Sequence, residues 1–170
     1  MTSVIGHLIE QDFDARYLKW NSCEPRDLFD APIRSNVADD KKAVAANIKS
    51  EARYASILYI WTDGDREGEY IGDEVRRTAL ESNPRIEVKR ARFSNTERAH
   101  VLQAARQPRE LDMRQVEAVA TRIELDLRLG AAFTRFQTRA LQTVTPILDK
   151  KIISYGMYDR RGMLFSLICS

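Results

Sequence analysis

Asp63-Gly64-Asp65-Arg66-Glu67-Gly68-Glu69 is the stretch whose reading decides the fold. It follows an apolar, β-favouring run, Ile57-Leu58-Tyr59-Ile60-Trp61-Thr62, and precedes a helical pattern from about Tyr70. Four carboxylates within seven residues repel one another unless a cation or basic groups compensate them. Magnesium takes a few carboxylate oxygens and keeps several waters, so a strand end bearing two or three such groups suits it. Gly64 and Gly68 let the backbone turn sharply and approach a ligand closely.

Two other readings compete. Taking Asp63 as position one, Asp65, Glu67, Gly68 and Glu74 fall at positions three, five, six and twelve of a calcium loop. Against this, Glu67 stands where Asp or Asn is usual, the preceding run is strand-like rather than helical, and no second loop accompanies it. The plainer reading is a solvated acidic turn whose carboxylates favour the positive end of a helix. The density of acids at a strand-to-helix junction, where α/β sheets place their sites, argues for the metal.

Outward from this centre the chain reads as strands alternating with helices. Met1-Thr2-Ser3-Val4-Ile5-Gly6-His7-Leu8 contains a short strand-like run, and residues 12–30 read as irregular, with Phe13, Tyr17, Trp20 and Phe29 as aromatic anchors. Asp39 is placed to cap a helix to about Tyr54 with Val44, Ala45, Ile48 and Ala52 on one face. The helix after the acidic turn carries Ile71, Val75 and Leu80 and ends at Asn83-Pro84. Residues 86–93 alternate as a strand, and Ser94-Asn95-Thr96-Glu97 reads as a capping box for a helix that Pro108 closes. A longer helix begins near Asp112, with Val116, Val119, Ile123 and Leu127 at helical spacing, and ends near Gly130. The expected fold is α/β, a largely parallel sheet with flanking helices followed by a helical segment.

Composition bounds function. The charged fraction is 31% with a net charge of +2, which excludes a uniformly basic nucleic-acid tail, and the 44% hydrophobic fraction suffices for a core. Cys23 and Cys169 form no metal-ligand pattern, and no apolar run is long enough to span a bilayer. A reduced intracellular protein without a membrane partner is the expectation.

The acidic stretch resembles the signature of the Toprim fold in type IA DNA topoisomerases, with most likeness to the eukaryotic-type topoisomerase III enzymes. Ser3–Leu8, Asn21–Pro25 with Leu28–Ile33, Arg90-Ala91-Arg92-Phe93-Ser94, and the segment from Arg122 to Gln137 resemble further family segments in consistent order over about residues 2–156. The resemblance implies cleavage of one DNA strand through a 5′-phosphotyrosine, strand passage, and magnesium-supported resealing that relaxes negative supercoils. By position it makes Asp63 and Asp65 magnesium ligands and Glu67 a third, through water. Arg66, His7, Arg122 and Arg135 become DNA-facing residues, with a basic side at Lys89, Arg90, Arg92 and Arg98. Plainer readings stand beside several of these: local neutralisation for Arg66, a structural His7, an i,i+4 pair with Asp126 for Arg122, a solvated face for the basic side, and a helix cap for Glu69. Single-stranded DNA, a helicase with accessory proteins, and a nuclear location are also implied.

The family's upstream glutamate and its tyrosine nucleophile have no counterpart here. Ser154-Tyr155-Gly156 matches a segment before the strand-passage gate, so Tyr155 is not assigned as nucleophile. The expectation is therefore an amino-terminally truncated Toprim domain (1–108), the start of a helical DNA-binding domain (109–156) and an aberrant tail (157–170). Such a chain is expected to bind magnesium, hold DNA weakly, catalyse no relaxation and expose unpaired sheet edges. Another Toprim enzyme, a primase or nuclease, is disfavoured by the Arg122–Gln137 segment. A non-catalytic DNA- or magnesium-binding fragment is the remaining alternative.

Overall fold

The apolar run before the acidic turn forms a strand, Ile57–Ile60, which pairs in parallel with Glu87–Arg90, Ile57 opposite Glu87 and Ile60 opposite Arg90. Parallel neighbours need a crossover, and the 15-residue helix Arg66–Leu80 between them provides it. In chain order the elements are β1 (Ile9–Phe13), β2 (Ile33–Val37), α1 (Lys42–Ala52), β3 (Ile57–Ile60), α2 (Arg66–Leu80), β4 (Glu87–Arg90), α3 (Arg98–Arg106) and α4 (Met113–Val144). The computed structural model describes residues 2–144. The expectations at Ser154-Tyr155-Gly156 and in the 157–170 tail lie outside the described residues.

The described chain falls into two units: residues 2–11 with 35–123, and residues 12–34 with those from 124 onward. In the first, Ile48 and Ala52 of α1, Val75 and Ala79 of α2, Leu8 and Ile86 form one buried cluster. The apolar face expected for α1 is the one that is buried. A smaller cluster joins Tyr70 of α2 to Val116 and Val119 of α4. In the second unit Phe13, Leu28, Ala31 and Ala132 pack together. The strands β1 and β2 pair with each other as a separate two-stranded sheet.

Local chemistry departs from expectation at several ends. The first strand is Ile9–Phe13 rather than residues 3–8. Residues 39–41 form a 3₁₀ turn, so α1 starts at Lys42, and the Asp39 carboxylate meets Lys42 at 2.7 Å instead of capping backbone N–H groups. The capping box before α3 does not form: Glu97 is the N-cap without a side-chain bond, and the Ser94 N–H donates to His100 Nε2 at 3.2 Å. Asp112 does start α4, accepting from Arg114 N–H at 3.1 Å. The helix continues through Gly130 to Val144, since one glycine costs only about 1 kcal/mol in a helix. Of the four aromatic anchors, Trp20 and Phe29 are exposed.

Arg135 lies 6% exposed on α4 and its guanidinium donates to the carbonyls of Tyr17 (2.7 Å), Lys19 (3.3 Å) and Leu18 (3.4 Å). These bonds fix the irregular loop of the second unit. Where a DNA-facing Arg135 was expected, both terminal nitrogens are engaged within the fold, by these carbonyls and by Cys23 Sγ at 3.6 Å.

Candidate metal-binding turn

Residues 63–69 sit at the carboxyl end of β3, and an isolated parallel bridge between Asp63 and Phe93 carries the β3–β4 ladder into the turn. Asp65 is the N-cap of α2, its Oδ1 accepting from Gly68 N–H at 2.8 Å. The Thr62 hydroxyl donates to the Gly68 carbonyl at 2.7 Å, closing the turn from the other side. Gly64 and Gly68 are needed here for space, since neither has a positive φ. A Cβ on Gly68 would stand 2.0 Å from the Asp63 carbonyl oxygen, and one on Gly64 would stand 2.4 Å from that of Phe93.

Underneath lies an ion pair absent from the sequence reading. Arg90, 1% exposed, donates from Nε to Glu69 Oε1 at 3.1 Å. Its Nη2 donates to the Asp63 carbonyl at 2.6 Å and its Nη1 to that of Ala91 at 2.7 Å. Glu69, also 1% exposed, accepts the Asp112 N–H on Oε2 at 3.0 Å. Burial lowers the Arg90 pKa and Glu69 acts against that. Glu69 is therefore no helix cap, and Arg90 is no part of a solvated basic side. A signal for the latter existed: residues two apart share a strand face, so Arg90 follows Ile86 and Val88 inward.

Above this pair the acids divide. Asp63 and Asp65 are exposed. Among the described residues no hydrogen bond or ion pair engages the Asp63 carboxylate, and Asp65 Oδ2 is likewise unengaged. Glu67 is held elsewhere. Its Oε1 meets Arg122 Nη1 at 2.8 Å and its Oε2 lies 3.4 Å from His7 Nε2. His7 Nδ1 is in turn 3.5 Å from Oε1 of Glu74, which is 0% exposed. Glu74 Oε2 accepts the Leu8 N–H at 2.8 Å. That commitment excludes the calcium-loop reading, because the twelfth position faces the core. The Glu74 carboxylate, and with it Glu67, raises the His7 pKa above its ordinary 6.5 against the opposing effect of burial.

Arg122 thus pairs with Glu67, and Arg66 is exposed at the first position of α2. Beside Gly64 a depression of about 330 Å³ is lined by Arg92, Phe93, His100 and Arg109. Arg92 donates to the Gly64 carbonyl at 3.2 Å. Among the described residues no three His, Cys, Asp or Glu side chains converge as a ready metal cage. Two open hard-oxygen donors still fit magnesium, which is commonly held by one or two carboxylates, with water and phosphate completing its shell. No helix among the described residues is long and apolar enough to cross a membrane.

A family model described as "Toprim domain" matches residues 1–96. The chain is 53% identical over 156 residues to the protein named DNA topoisomerase 3 of Schizosaccharomyces pombe, covering 92% of this chain and 25% of that one. It is 51% identical to DNA topoisomerase 3 of Saccharomyces cerevisiae over 84% of this chain and 22% of that one. To DNA topoisomerase 3-alpha of Homo sapiens it is 45% identical over 92% of this chain and 16% of that one. The chain thus spans a quarter or less of the length of these curated relatives.

Two outcomes follow from this geometry. Gly68→Ala forces backbone apart at a turn with no flexible side chain to yield, and should cost about 1–3 kcal/mol or more in chemical denaturation; unchanged stability would contradict the close approach. In an NMR titration, the His7 ring should titrate above 6.5 and fall back toward it in Glu74→Gln. Equal midpoints in the two proteins would contradict the contact.

Proposed function

Since this chain belongs to the Toprim-domain family, we propose that it forms the metal-holding part of a type IA DNA topoisomerase of the topoisomerase III kind. The observation that carries this reading is a turn at a parallel strand end whose backbone is fixed from below while Asp63 and Asp65 stand open to solvent. The names and 45–53% identities of the relatives support it.

In this proposal Asp63 and Asp65 hold Mg2+, and Glu67 takes part only after leaving its partners. When bound, the ion would neutralise charge on a scissile phosphate and help to fix its place. The chain's own residues do the rest. Asp65 keeps its carboxylate beside the turn by capping α2, and Arg90 holds the Asp63 backbone so that its side chain points outward without reorganisation. Arg66, Arg92 and Arg109 supply positive charge for phosphate on either side of the acids, which otherwise repel a nucleic acid. Arg122 is a phosphate contact once Glu67 releases it.

For the whole protein the proposal is single-strand breakage through a 5′-phosphotyrosine and magnesium-dependent resealing, with single-stranded DNA as partner. A helicase, accessory proteins and a nuclear location belong to the same proposal through the family resemblance. So does the division into a Toprim segment (1–108) and the start of a helical DNA-binding segment (109–156). No residue of this chain is assigned as the nucleophile.

The test is a magnesium titration of the chain followed by NMR, with and without a single-stranded oligonucleotide. Shifts should concentrate at residues 63–69, and Asp63→Asn with Asp65→Asn should weaken binding about tenfold or more, within the range for loss of metal-site groups. Oligonucleotide binding should strengthen with magnesium in the wild type only. DNA binding indifferent to magnesium and to both substitutions would instead identify a non-catalytic binder.

A further inference from the structure

Among the described residues Glu74 is the one carboxylate with no exposed surface at all, and once the calcium-loop reading is excluded the sequence leaves it without a task. A charge in such a place is costly unless paired and hydrogen-bonded. One oxygen is satisfied by the Leu8 N–H at 2.8 Å. The other, Oε1, faces His7 Nδ1 at 3.5 Å as a charge contact, and neither atom has a hydrogen-bond partner. The pairing is therefore made by these two groups with each other or not at all.

Seven residues separate Glu74 from Glu67, about two helical turns, so the two carboxylates share one face of α2. The His7 ring spans them, with Nδ1 toward the buried acid and Nε2 toward Glu67. The edge of the ring also meets Tyr70, the residue one turn after Glu67, with centroids 5.5 Å apart, which restricts its rotation. A carboxylate behind one imidazole nitrogen fixes the ring and strengthens the bond made by the other nitrogen. Glu67 is then gripped on both oxygens, by His7 and by Arg122.

We propose that Glu74 is a positioning residue that, through the His7 ring, holds Glu67 on Arg122 and keeps that carboxylate off a cation at Asp63 and Asp65. In its metal-dependent part the inference rests on the magnesium reading above. The consequence is a reserve ligand. A phosphate arriving at Arg122 releases Glu67, which is then free to join the metal, so occupancy of the two sites is linked.

Glu74→Gln separates this from simple electrostatics, because the two predict opposite signs. Glutamine keeps an oxygen for the Leu8 N–H but loses the charge behind His7. Removing a negative charge should by itself weaken magnesium binding. A loosened grip on Glu67 should instead tighten it, here by about fivefold or more. The gain should vanish in a Glu67→Gln background, where no carboxylate remains to be released. Weaker or unchanged binding in Glu74→Gln, or an equal gain in both backgrounds, would overturn the inference.

A second arm needs no metal. In EDTA, the Glu67 carboxyl carbon and Arg122 Nε–H resonances should move in Glu74→Gln while the Leu8 amide stays in place. If Glu74 serves the fold alone, Glu67 and Arg122 stay where they are, and the inference fails. Should Glu74→Gln not fold, His7→Asn, at a half-exposed ring, should produce the same movement at Glu67 and Arg122. A wild-type chain with no magnesium response at Asp63 and Asp65 would refute the magnesium reading, and the metal-free arm would still decide whether Glu74 positions Glu67.

Discussion

The turn that carries the acids depends on one buried guanidinium. Arg90 reaches Glu69 on α2, the Asp63 carbonyl in the turn after β3, and the Ala91 carbonyl just past its own strand, and so ties three segments together. Deleting one partner of such a buried pair typically costs about 3–5 kcal/mol, because the other charge is left unpaired. Only a planar fork of donors satisfies all these acceptors at once, and a lysine in the same place presents a single point of charge. The close backbone approaches at Gly64 and Gly68 then leave the turn almost no freedom.

From that constraint follows a division of labour among four carboxylates that look equivalent in sequence. Glu69 goes inward to Arg90, Asp65 gives one oxygen to the helix cap, Glu67 is taken by His7 and Arg122, and Asp63 stands open. Repulsion within the cluster is thus relieved mainly by protein groups. What remains for a cation is a pair of exposed oxygen donors beside a basic depression, an arrangement suited to a hydrated ion that shares a phosphate.

Much of this was legible in the residues. The apolar run at 57–62 and the alternation at 86–93 gave the parallel pair, and the acidic stretch marked the strand-to-helix turn on which the candidate site is built. The glycines were recognised for close approach, although the approaching group is the chain's own backbone. What stayed hidden was set by tertiary contact. Arg90 looked like one of a basic run until its strand face placed it beside Val88. Arg135, 118 residues from the Tyr17 carbonyl it binds, had no local sign of that role. Glu74 falls at a calcium-loop position by spacing, and spacing alone cannot tell which way a helical carboxylate faces.

Arg90 shapes the turn through its fork of donors as well as through its charge. The most direct test is the magnesium affinity of Arg90→Lys, which keeps the charge, measured by calorimetry beside the wild-type chain. Affinity should be lower by about tenfold or more, as for loss of groups that orient metal ligands, although Asp63 and Asp65 are untouched. A folded Arg90→Lys chain with wild-type affinity would contradict it.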